Sequence, residues 1–139
     1  MSENREDWVR EVNEDMGPFN RHVGLRAEAV GPGWCRVVCE LRPEHCNPRG
    51  SVHGGMCATL ADVAGGIAAI YASGEWRPMV TRSMDLHYLY PLTGSRMIAE
   101  GRVIRAGRKT CLARADLYVD QDRLCCTGDL ELIYLDMED

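Results

Sequence analysis

The chain has 139 residues, 45% hydrophobic and 27% charged, the balance of an ordinary globular domain built around one core. A formal net charge of −5 leaves no basic excess for phosphates and argues against nucleic acid as a general partner. No apolar run free of glycine and charge approaches a membrane span, and the polar start MSENREDW does not read as a signal peptide, so a cytoplasmic protein is expected.

Residues 4–16 can form a short helix whose stripe of Trp8, Val9, Val12 and Met16 is fit to cover a sheet edge or pack on a partner. Gly17 and Pro18 end it. A first strand, Leu25 to Val30, turns at Gly31-Pro32-Gly33 into a second, in which Cys35, Val37, Cys39 and Leu41 alternate with Arg36, Glu40 and Arg42. The segment from Pro43 leads through a loop into a long apolar run that ends at Ser73-Gly74. In the next strand Val80, Arg82, Met84, Leu86, Tyr88 and Tyr90 alternate with Thr81, Ser83, Asp85, His87 and Leu89. Its polar face suits a ligand pocket, a subunit interface or plain exposure. Three more strands, about 97–105, 111–119 and 123–135, are joined by hairpin-like turns at 106–109 and 120–122. Two strands, one apolar helix and four strands in a meander give an α+β domain in which the sheet must wrap the helix, since no second long helix is available to bury it. Without repeats or linkers, residues 1–139 read as a single domain with residues 1–20 as an N-terminal helical extension.

The stretch NPRGSVHGGMCATLADVAGGIAA, residues 47–69, carries the chemistry. Asn47, Pro48 and Gly50 favour a loop; Met56, Leu60, Val63 and Ile67 then recur at helical spacing with alanines between them. A helix this apolar on all sides is a buried one. Between Arg49 and Glu75 its one formal charge is Asp62, a carboxylate that must be paired, neutralised or used. Gly54 and Gly55 open the helix with backbone N–H groups that have no helical partner and favour a carbonyl oxygen gaining negative charge. Together with a polar residue such as Asn47 to hold water or substrate, these are the parts of an acyl-transfer site. Gly54 and Asp62 are separated by roughly 12 Å at about 1.5 Å per residue, too far for one helix to offer both groups to one carbonyl. Two antiparallel copies, with Gly54 of one facing Asp62 of the other, bring them together, so a homodimer is expected as the smallest active unit.

The segment HCNPRGSVHGGMCATLADVAGG resembles the signature of hotdog-fold thioesterases, in the branch related to the phenylacetate-pathway enzymes. The pattern is Asn47, Gly50, His53, Gly54 and Gly55, then an acidic residue on the helix, Asp62, with its spacing kept. The resemblance implies a hotdog fold and hydrolysis of an aryl or medium- to long-chain acyl-CoA, with coenzyme A as part of the substrate and no separate cofactor. It places Asn47 near the thioester and Thr81 opposite Asp62; the bland readings are a loop cap and a strand former. It casts His53 as a loop-organising residue rather than a base. Related enzymes often pair two dimers into a tetramer.

Arg108 and Lys109, with Arg105, form a basic turn that either binds the phosphates of coenzyme A or is simply solvated. The seven cysteines are odd in number, contain no C-x-x-C pair and read as reduced core residues; Cys46 and Cys57 flank the site. His45, Cys46 and His53 match no standard ligand spacing, so no metal is expected. Other classes stay open: a non-catalytic acyl-CoA sensor, or a hotdog hydratase or dehydratase, which the resemblance gives a catalytic histidine elsewhere.

Overall fold

The computed structural model describes residues 5–120 and 123–136; the expected helix residue 4 and turn residues 121 and 122 lie outside them. Two short helices, α1 (Arg5–Glu14) and α2 (Pro18–His22), precede strands β1 (Leu25–Gly31) and β2 (Trp34–Glu40). A single 3-10 turn at Pro43–His45 leads into the long helix α3 (Gly54–Ile70). Strands β3 (Met79–Tyr88), β4 (Arg96–Ala106), β5 (Thr110–Val119) and β6 (Arg123–Tyr134) complete the order. The alternation had indicated every strand; α2 and the 3-10 turn are too short to leave a periodic signal.

All six strands pair antiparallel in one sheet, in the order β1-β2-β4-β5-β6-β3. The expected four-strand meander is therefore corrected: only β4, β5 and β6 meander, while β3 pairs with β6 at the sheet edge and β4 with β2. Period-two alternation fixes which face a side chain takes, not which strand lies beside it. This is the hotdog arrangement, an antiparallel sheet curled around a central helix.

The helix lies close on the sheet because the strands beneath it carry small groups. Cys35 of β2 and Gly101 of β4 are cross-strand partners, and both meet the carbonyl of Ala64 in α3. The Cys35 thiol donates to that oxygen at 3.0 Å, and a Cβ at position 101 would collide with it. Leu60, Met97, Leu117, Leu130 and Leu132 fill the space between the two layers. The opposite side of α3 is not covered by the sheet: Asp62, Val63 and Ile70 are half-buried and face a pocket instead.

The two sheet edges are treated differently. Along β1, Asn13 of α1 acts as a substitute strand, donating from Nδ2 to the Ala27 carbonyl (2.9 Å) and accepting the Ala27 N–H at Oδ1 (2.7 Å). Trp8 anchors the same helix by stacking on Tyr71, ring centroids 4.9 Å apart. At the other edge β3 is mostly exposed along its ten residues. A bulge between Thr81 and Ser83 reverses the facing of β3, so Met84 and Leu86 pack on the core while Val80 is 47% exposed. The expectation that Val80, Met84 and Leu86 share one face is corrected by this bulge, which no alternation rule can locate.

Candidate functional site

The loop before α3 is built by its own polar side chains. Asn47 Oδ1 accepts the N–H groups of Arg49 (2.9 Å) and Ser51 (3.3 Å), while its Nδ2 donates to the Ser51 hydroxyl (2.8 Å). Gly50, at φ 87°, makes the tight return that such a turn requires. His45 is buried beneath the loop, where Nδ1 accepts the Arg42 N–H (3.0 Å) and Nε2 lies 2.8 Å from the Val23 carbonyl. With Nδ1 bound to a backbone N–H and Nε2 facing a backbone carbonyl, it serves as a structural histidine under the loop.

His53 caps α3, with Nδ1 accepting the Gly55 N–H at 2.8 Å. That bond commits the Gly55 amide within the chain. The Gly54 N–H donates to no group among the described residues, so it is the helix-end amide left for a ligand oxygen. Tyr88 of β3 donates its hydroxyl to the Gly54 carbonyl at 2.7 Å, tying the first helical turn to the edge strand. Desolvation pushes the Tyr88 phenol up, which keeps it protonated and donating.

Two turns along α3, Asp62 Oδ1 accepts the Thr81 hydroxyl at 2.7 Å. The bulge makes this contact by turning Thr81 toward the helix. The other carboxylate oxygen accepts no hydrogen bond among the described residues. Such a carboxylate can take a proton from water or attack an acyl carbon. The pair borders a pocket of about 400 Å³ between α1, α3 and β3. Val12, Met16, Ile67, Ile70, Trp76 and Met79 provide its apolar walls.

The structure thus brings Asp62 and Thr81 together and puts Gly54, Gly55 and His53 at the helix start. Asn47 is occupied by its own loop. Arg108 and Lys109 are exposed at the β4–β5 turn, away from the pocket lining; Arg77 braces this turn through the Gly107 and Arg108 carbonyls (3.3 and 2.6 Å). Cys57, a candidate reactive thiol, is fully buried, and desolvation pushes its pKa up to about 12. It packs as an inert core residue. No group of three His, Cys, Asp or Glu among the described residues could hold a metal. Sequence reasoning missed Tyr88 and the contribution of α1 to the pocket; the apolar spacing of Val12 and Met16 was the available signal for the latter.

Comparison with known proteins bears on the fold and the class of reaction. The family model described as the thioesterase superfamily matches residues 49–126. A medium/long-chain acyl-CoA thioesterase of Salmonella typhimurium is 30% identical over 122 residues, covering 77% of this chain and 78% of the relative. The phenylacetic acid degradation protein PaaI of Thermus thermophilus superimposes with a TM-score of 0.77 at 27% identity, over 86% of this chain and all of that one. A thioesterase of Haemophilus influenzae shares the fold with a TM-score of 0.86 at 22% identity, over 94% of this chain and 92% of the other. With its hotdog sheet and the match across the loop, α3 and the strands after it, the chain belongs to the thioesterase superfamily and is a thioester hydrolase.

Proposed function

We propose that the protein hydrolyses acyl-CoA thioesters as a homodimer, with each active site shared between Asp62 of one protomer and Gly54 of its partner. The observation that carries this reading is the Thr81–Asp62 hydrogen bond beside an apolar pocket. In the general-base route Asp62 takes a proton from water while the resulting hydroxide adds to the thioester carbon. The Gly54 N–H donates a hydrogen bond to the developing oxyanion. Collapse breaks the C–S bond, and the departing thiolate takes the proton that Asp62 removed from water, giving free acid and coenzyme A. Direct attack by Asp62 through a mixed anhydride uses the same groups.

The bare β3 edge supports self-association, because an exposed strand of ten residues invites pairing with a second copy. Arg108 and Lys109 are available for the coenzyme A phosphates, and Asn47 orders the loop beside the thioester. The test is release of coenzyme A thiol from a panel of aryl, medium-chain and long-chain acyl-CoAs, wild type beside Asp62→Asn. Loss of at least about a hundredfold in kcat for the variant, the scale of a general base, supports the assignment. Turnover that survives the substitution would mean another group performs the chemistry.

A further inference from the structure

The pocket beside Asp62 is apolar along most of its walls, and its charged positions are all acidic. Glu11 of α1, Asp15 just after that helix and Asp62 of α3 all line it, and no Arg, Lys or His among the described residues does so. Glu11 is half-buried and accepts the Tyr71 hydroxyl at 3.4 Å, which holds it against the wall that Tyr71 forms. Tyr71 is itself buried and stacked on Trp8, so the wall is backed by packed side chains. A volume of about 400 Å³ lies within the range of small-molecule sites, about 300–1,000 Å³.

We infer that this pocket takes the acyl group, and that Glu11 and Asp15 select neutral acyl chains against those ending in a carboxylate. The inference rests on the thioesterase reading above and names the substrate class for that site. An aliphatic or aryl group gains from leaving water for Val12, Met16, Ile67 and Met79. A terminal carboxylate gains nothing there: it would lose its hydration, meet no cation and face like charges. Helix α1 lies wholly outside the segment that matches the family model, residues 49–126. The discriminating groups, Glu11 in that helix and Asp15 just after it, are therefore supplied by this chain's N-terminal segment and not by the matched one.

The test compares matched esters differing by one terminal carboxylate: hexanoyl-CoA with adipoyl-CoA, and benzoyl-CoA with 4-carboxybenzoyl-CoA. Wild type is expected to favour the neutral member of each pair it turns over by about tenfold or more in kcat/KM, with the gap carried mainly by KM. Raising ionic strength should narrow the gap, since Asp15 is exposed and its field is screened. The double substitution Glu11→Gln and Asp15→Asn should shrink the ratio several-fold, whereas Val12→Trp, which fills the pocket, should depress both six-carbon esters relative to acetyl-CoA. Equal kcat/KM for neutral and carboxylated partners, or a ratio unmoved by the double substitution, would overturn this inference while leaving the thioesterase reading intact. Absence of thiol release from every ester would overturn both.

Discussion

One hydrogen bond orients the carboxylate proposed to do the chemistry, that between Thr81 and Asp62. The Thr81 hydroxyl donates to Oδ1, which orients the group and leaves its other oxygen toward the pocket. Thr81→Val removes the donor from an exposed position, so the fold should change stability by no more than about 0.5 kcal/mol. Turnover should nonetheless fall by about 10- to 100-fold, the worth of a hydrogen bond to a charged group, and Thr81→Ser should restore most of it. Parallel thermal melts and kcat measurements separate the two effects. A second carboxylate has a structural task. Asp120 accepts from the Ser95 N–H and hydroxyl and from the Arg96 N–H, and these bonds, the Ser95 N–H foremost, hold its carboxyl below the usual range. A depressed folded value means the stabilisation is present above the unfolded carboxylate value of 3.8 and is lost as pH falls through the folded one. Asp120→Asn, which keeps a residue tolerant of the φ of 51° found here, should lower Tm at neutral pH and flatten its decline in acid. Melts from neutral to acid pH check this.

The elements differ in how much of their role is visible in the chain. The core-facing alternation of β2, β5 and β6 and the apolar spacing of α3 follow from burial of one face, and those signals are local. The loop, the helix start and Asp62 were legible because unusual residue types stand together there: turn formers, paired glycines and one carboxylate in an apolar run. The place of β3 beside β6 was not legible, because strand order is decided by how long connections cross the sheet. The bulge at Thr81 was equally hidden, although it is what turns the hydroxyl toward Asp62. Gly101 gains its meaning only in three dimensions, where it admits the Ala64 carbonyl of α3 against β4. Gly101→Ala should therefore push the helix from the sheet and cost about 1–3 kcal/mol in urea unfolding, as overpacking does. An unchanged midpoint would show that the two layers can part without penalty.

At the scale of the molecule, one sheet edge is closed by Asn13 and its helix and the other is left open along β3. The groups proposed for the chemistry are divided in the same way, with the Gly54 N–H at one end of α3 and the Asp62 carboxylate near its middle, two turns apart. The proposed dimer would unite both observations. The most direct test uses two variants, each inactive alone. Asp62→Asn removes the carboxylate. Gly54→Pro removes the N–H at the first helical position, where proline is well tolerated; the preceding His53, at φ −59° and ψ 135°, already has the conformation proline demands of its neighbour. The nearest atoms to a Cβ at position 54 belong to the Tyr88 side chain, at an ordinary 3.6 Å. Co-refolded at equal amounts, half of the dimers are hybrids with one intact site of two, so about a quarter of wild-type acyl-CoA hydrolysis should return. A mixture that stays inactive although hybrid dimers have formed would contradict a site shared between Gly54 of one protomer and Asp62 of its partner.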